Sequence, residues 1–318
     1  MKYDKLFETA KIGSLTLKNR FIMGAMGVGF AEMNGNPTDR TVAYYEERAK
    51  GGYALIITEV TRVQDTEFCT PLEPSLGSDK FIPGWKKVTD AVHAQGAYIF
   101  PQLHQPGRQY TKAILGHDTS APSPIACPVF DETPHELTTE EVWDNIHMFG
   151  DAAVRAKKAG FDGVEIHAGH GYLVQQFLSQ FSNRRFDEFG GSIENRARFA
   201  CEICKDIKKK CGEDYPVIIK LSGEEKVPGG MTISDTKIIA KYLEEAGYDA
   251  IEVTICNYAS LDWMSAPEDE PMGFNAYNAE KIKEGVHIPV AAIDRINTPE
   301  IAEDIIETGK ADFVSISR

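Results

Sequence analysis

Short apolar runs alternate with helix-patterned stretches along almost the whole chain, and this alternation constrains the fold more than any other feature. Eight runs read as strands, over residues 21–24, 54–59, 97–103, 163–167, 216–221, 250–254, 288–293 and 312–316. Each is short, rich in Ile, Val, Leu or Phe, and bounded by Gly, Pro or polar residues, the pattern of strands buried on both faces. Seven helical patterns lie between them, over 38–50, 82–95, 139–159, 192–211, 234–246, 276–284 and 299–307. Strict alternation predicts an α/β chain forming one (β/α)8 barrel over residues 1–318 rather than two domains. A doubly wound sheet is the competitor, but no Gly-rich fingerprint follows an early strand. The sequence ends at ADFVSISR with no eighth helix, so the barrel is expected to be truncated after strand eight, short of its natural length.

Helix punctuation supports the pattern. Several helices run into glycine, at Gly51, Gly96, Gly160, Gly212, Gly247, Gly285 and Gly309, where a left-handed cap is sterically cheap. Thr139, Ser192, Ser234 and Thr298 are the expected N-caps, and Pro299 suits the first helical position. Residues 105–137, rich in Pro, Ser and Gly, are too many for a plain connection and read as a functional loop over the barrel mouth.

Charge and cysteine content narrow the function classes. Lys and Arg total 34 against 48 Asp and Glu, a net charge of −14, which disfavours nucleic-acid binding through bulk electrostatics. No apolar run reaches membrane-span length, and MKYDKLFETAKIG lacks a signal-peptide core. Six cysteines in 318 residues make no disulfide scaffold, so a reducing cytoplasm is expected. Cys201, Cys204 and Cys211 resemble a cluster motif but fall inside one helix, where such spacing reads as core.

In a barrel, reactive residues sit at the C-terminal strand ends. Strand three offers Gln102 and His104, strand four His167, His170 and Tyr172, strand five Lys220, and strand eight Arg318. Each alone is unremarkable for a folded protein; their convergence on one mouth points to a site. His167 and His170 could hold zinc, but no third ligand follows at a matching spacing, so no metal is expected. Lys220 at a strand end leaves open a Schiff-base aldolase.

The segments LTLKNRFIMGAM, YYEERAKGG, FPQLHQPGR, APSP, ELTTEEV, AGFDGVEIHAGHGYLVQQFLS, NRRFDEFGGSIENRARF and RINTPEIAEDII, in that order, resemble the old yellow enzyme family. The resemblance extends in particular to its 2,4-dienoyl-CoA reductase and enoate reductase branch. The resemblance implies an FMN-dependent ene-reductase, with NAD(P)H as reductant and an activated alkene (enoate, enone or enoyl-CoA) as small-molecule partner. His167 and His170 match the family's carbonyl-binding pair and Tyr172 its proton donor. Ala25, Met26, Gly27, Glu59, Gln102, Lys220, Arg295, Ser317 and Arg318 match cofactor-binding positions. Lys220 stands where arginine is usual; Asp294 and Ser317 stand where the phosphate loops commonly carry glycine. The Asp294 side chain is therefore expected to turn from the phosphate, since a carboxylate ~6 Å from it costs several kcal/mol at an effective dielectric near 20. Ala259 replaces the second acid of dienoyl-CoA reductases, favouring a simple enoate or enone over a diene. Long members carry a [4Fe–4S] cluster, FAD and an NAD(P)H-binding region after the barrel, expected to be absent from these residues. A non-catalytic flavin-binding barrel fragment is the remaining alternative, and homo-oligomerisation is left open.

Overall fold

A computed structural model of the chain describes residues 3–264, 266 and 268–317. The eight expected strands all form, with small shifts at their ends: β1 (Phe21–Met23), β2 (Leu55–Arg62), β3 (Tyr98–His104), β4 (Val164–Ala168), β5 (Val217–Ser222), β6 (Ala250–Thr254), β7 (Val290–Ala292) and β8 (Phe313–Ser315). They pair in parallel, each with its sequence neighbour, and β8 closes on β1 through Val314 opposite Phe21. Between them run α1 (Asp39–Lys50), α2 (Ile82–His93), α3 (Thr139–Lys158), α4 (Ile193–Cys211), α5 (Ile233–Glu245), α6 (Ala276–Lys283) and α7 (Pro299–Glu307). The fold is a (β/α)8 barrel.

Caps shift by a residue or two from expectation. Thr138, not Thr139, caps α3, and Thr232, not Ser234, caps α5; in each the threonine oxygen accepts the amide three residues on. Ser192 and Thr298 cap as expected. Gly51 stays right-handed at φ −67°, the left-handed turn falling on Gly52, and Gly285 is not left-handed either. Elements outside the alternation include a hairpin of Ala10–Ile12 and Leu15–Leu17, a short pairing of Ser120–Ala121 with His135–Glu136, and a helix of under two turns, Leu173–Leu178, after β4.

The two-residue period of the strands divides the barrel interior into layers. Inward-facing Ile22, Leu55, Phe100, Ile218 and Phe313 fill the lower half, where Ile12 and Leu17 of the hairpin pack against them. Two residues beyond Phe100, Ile218, Ala250 and Phe313 on their strands, the chemistry changes to Gln102, Lys220, Glu252 and Ser315, all buried. A larger core joins the outer strand faces to the helices. Cys201, Cys204 and Cys211 belong to it, buried along α4 as expected.

Candidate active site

Above the polar layer the barrel opens into a cavity of about 760 Å³ at the C-terminal strand ends. That volume falls in the range of small-molecule sites. Ala25, Met26, Gly27, Gln102, His167, His170, Tyr172, Lys220, Arg295 and Ser317 all line it, so the expected residues converge. Glu59 does not. Its Oε2 accepts the Val28 and Gly29 amides at 2.8 and 3.0 Å, making it a strut behind the 25–29 segment. Burial raises its pKa to about 7 against the pull of those amides. Arg318 lies outside the described residues. The loop 105–137 also departs from expectation: none of it lines the cavity. It packs behind the rim instead, where Gln109 Nε2 donates to the Gly171 carbonyl at 2.8 Å.

The turn after β4 carries the densest chemistry. His170 and Gly171 take φ of +57° and +78°, an unusual pair that turns the chain back to start the Leu173–Leu178 helix. His167 Nδ1 accepts the Gly169 amide at 3.3 Å, which leaves the ring proton on Nε2. His170 Nε2 lies 2.9 Å from Thr254 Oγ1. Burial, with neighbouring cationic groups, holds both imidazoles neutral: His167 falls well below its usual value and His170 to about 3. Burial pushes the Tyr172 phenol well above its ordinary range, so it keeps its proton. Its oxygen lies 2.9 Å from that of Tyr258.

Beneath these groups, Lys220 Nζ donates to Glu252 Oε1 at 2.9 Å, and Ser315 Oγ donates to the same oxygen at 3.0 Å. Gln102 Nε2 donates to Glu165 Oε2 at 2.6 Å. Burial and the facing Glu252 keep Glu165 protonated, while Lys220 holds Glu252 ionised against its own burial. Burial lowers the Lys220 pKa, but its acidic partners, the Glu252 carboxylate foremost, outweigh it and the net shift is upward. A Schiff-base nucleophile must be a neutral amine, so this ion pair opposes the aldolase reading.

The loops after β7 and β8 form the opposite wall. Asp294 and Arg295 take φ of +85° and +52°, a geometry that favours glycine, which accounts for the departure at Asp294 being conspicuous in sequence. Asp294 Oδ2 accepts from Asn275 Nδ2 at 2.9 Å. Burial raises its pKa to about 7, partly offset by Lys220. Gly24 is equally constrained, since a Cβ there would sit 2.6 Å from Ser315 Oγ.

Tyr258, Thr254, Glu165, Glu252 and Asn275 were not singled out in the sequence. Tyr258 stands beside Ala259 in NYAS.

An eight-stranded barrel with a polar layer, two neutral imidazoles and a phenol at its C-terminal mouth defines a small-molecule enzyme barrel. The chain belongs to the NADH:flavin oxidoreductase / NADH oxidase family, whose model matches residues 5–318, and the old yellow enzyme resemblance stands. It is 43% identical over 320 residues to an NADH oxidase of Thermoanaerobacter brockii, covering 99% of this chain and 49% of that protein. It is 40% identical over 339 residues to a cinnamate reductase of Clostridium sporogenes, covering 100% of this chain and 51% of that protein. A solved 2-naphthoyl-CoA reductase complexed with 2-naphthoyl-CoA superposes with TM-score 0.95 at 31% identity, covering 99% of this chain and 50% of that one. The chain thus spans about half the length of these relatives. Among the described residues no helix is long and apolar enough to cross a membrane.

Proposed function

We propose that this barrel binds FMN and reduces electron-poor C=C bonds conjugated to a carbonyl, with reducing equivalents from NAD(P)H. The observation that carries the reading is the grouping of two neutral imidazoles and a protonated phenol, His167, His170 and Tyr172, on one cavity wall. The family membership and the substrates named for two relatives, cinnamate and 2-naphthoyl-CoA, support it.

The residues present fit the cofactor. The cavity is large enough, its floor carries the Lys220 cation, and Gly27 leaves space where a side chain would project, with no atom within 4 Å of a built Cβ. Ala25, Met26 and Gly27 would run beside the ring system, with Gln102 and Lys220 beneath it and Asp294–Arg295 and Ser317 near the phosphate. Bound FMN supplies the hydride for the alkene β-carbon.

The chain's own groups do the rest. His167 donates through Nε2–H; when His170 Nε2 accepts from Thr254, its Nδ1–H is the second donor. Both meet the substrate carbonyl oxygen, where negative charge develops, and being neutral and held in the cavity wall they need no reorganisation. Tyr172 gives its proton to the α-carbon. Tyr258, half-buried and hydrogen-bonded to Tyr172, connects that acid to the solvent-facing rim and returns the proton.

The test is reconstitution with FMN, anaerobic reduction by NAD(P)H, and reoxidation by a panel of enoates, enones and acyl-CoA esters. Alkene-dependent reoxidation with formation of the saturated product is expected; a protein that takes up no FMN overturns the reading.

A further inference from the structure

Cys69, Glu73 and His104 meet at the cavity wall, Cys69 lining it and the other two buried behind, and the function proposed above uses none of them. The Cys69 thiol lines the cavity and lies 3.7 Å from His104 Nε2. On the other side of the ring, His104 Nδ1 is 3.2 Å from Glu73 Oε1. The Glu73 carboxylate can only accept there, so Nδ1 carries the ring proton and the Nε2 lone pair faces the sulfur. Glu73 Oε2 accepts the Cys69 backbone amide at 2.7 Å, so one carboxylate fixes both the ring and the loop. The His104 and Glu73 side chains are 0% and 1% exposed, shielding this geometry from water. Arg62 holds the same loop through the Pro71 carbonyl at 2.8 Å. The His104 ring packs edge-on against Tyr172 at 4.5 Å, so the thiol stands beside the reacting end of the cavity. The three groups also have the spacing of metal ligands, but both Glu73 oxygens are already engaged.

We propose that Cys69, His104 and Glu73 form a nucleophile, base and orienting carboxylate, and that the thiol reversibly captures an electron-poor alkene bound in the cavity. The proposal rests on the reading of the cavity as an alkene site. A nucleophile held against a base that is itself oriented by a third group is the arrangement that activates cysteine and serine elsewhere. Burial, reinforced by Glu73, pushes the Cys69 thiol well up, so the resting group is S–H and His104 must take the proton during attack. Sulfur bonds to the β-carbon as the S–H bond breaks toward Nε2, and the π pair moves onto the α-carbon and carbonyl oxygen. The α-carbon then takes a proton, with the one held by His104 as net source. S–H has added across C=C, nothing is oxidised or reduced beyond that addition, and the reverse elimination frees the alkene. The same alkene carbon is the target of the hydride, so capture and reduction compete.

The experiment uses FMN-loaded, oxidised protein without NAD(P)H, treated separately with N-ethylmaleimide and with iodoacetamide, and followed by intact mass and peptide mapping. One adduct per chain on Cys69 is expected from each, ahead of the buried Cys127, Cys201, Cys204, Cys211 and Cys256. Cys69→Ser removes it, and His104→Gln, with an unchanged melting temperature, slows it about a hundredfold. Should His104→Gln fail to fold, the wild-type order of labelling decides alone. Labelling of Cys69 no faster than of the buried cysteines, an unchanged rate in folded His104→Gln, or reaction with iodoacetamide but not the maleimide each overturns the proposal. Cys69 capture without turnover under NAD(P)H would remove the reductase reading and leave the capture site standing; turnover without capture would do the reverse.

Discussion

Tyr258 holds its phenol oxygen 2.9 Å from that of Tyr172, at the point where the loop after β6 meets the turn after β4. Both side chains are half-buried and line the cavity, Tyr172 on the turn after β4 and Tyr258 on the loop after β6. Burial raises the Tyr258 phenol to about 12, so both tyrosines carry protons at neutral pH.

Under the proposed function, Tyr258→Phe removes a proton path without removing the acid. Alkene-dependent turnover should fall about tenfold, less than in Tyr172→Phe, where general-acid catalysis worth ~10²–10⁴ is lost. The double variant should be little worse than Tyr172→Phe alone, because the two act in series. Additive losses in steady-state assays would show that Tyr258 acts elsewhere.

With the phosphate placed by the proposed function, Asp294 should make FMN affinity depend on pH. Its carboxyl, raised to about 7, is largely neutral below that pH and ionised above it, beside the loops that would meet the phosphate. Titrations of FMN should show weakening binding as pH rises through 7, a trend that Asp294→Asn flattens while tightening binding at pH 8. Identical profiles for both proteins would place the phosphate elsewhere.

The Lys220–Glu252 pair has side chains 3% and 1% exposed. Lys220→Met leaves a buried carboxylate without its cation and should cost about 3–5 kcal/mol in urea unfolding. Lys220→Met with Glu252→Gln should recover most of that loss. If the double variant is no more stable than the single one, the ion pair is not what holds this layer.

Glu59 gives a stability signature of opposite sense to an ordinary salt-bridged carboxylate. Its folded pKa of about 7 lies above the usual 4.5, so its contribution is complete below pH 4.5 and is lost as pH rises through 7. Glu59→Gln, which can still accept the Val28 and Gly29 amides, should flatten the decline in melting temperature between pH 5 and about 8. A wild-type curve rising over that interval, with no change in the variant, would contradict the assignment.

The barrel was legible because its strands are buried on both faces, leaving apolar runs such as Ile251 and Val253 that no helix period explains. The hairpin Ala10–Ile12/Leu15–Leu17 is not legible in the sequence because three-residue strands carry too little alternation, although Gly13-Ser14 is a fitting two-residue turn. Glu59 ends the apolar run 54–59 and matches a cofactor-binding position of the family, yet it does not line the cavity. The register shift between Ile57 and Val60 intervenes, and Val60 lines the cavity while Glu59 holds the neighbouring loop. His167, His170, Tyr172, Gln102 and Lys220 could be read from strand ends and family motifs. Tyr258, Glu252 and Asn275 could not, because their importance lies in pairings across 86, 32 and 19 residues of sequence.

The most direct test of the whole account is stopped-flow comparison of the two half-reactions in wild type and Tyr172→Phe, each loaded with FMN. Reduction by NAD(P)H should proceed at nearly the same rate in both proteins, while reoxidation by the alkene should slow at least about a hundredfold in the variant. Equal slowing of both half-reactions, or reoxidation at the wild-type rate, would contradict Tyr172 as the proton donor.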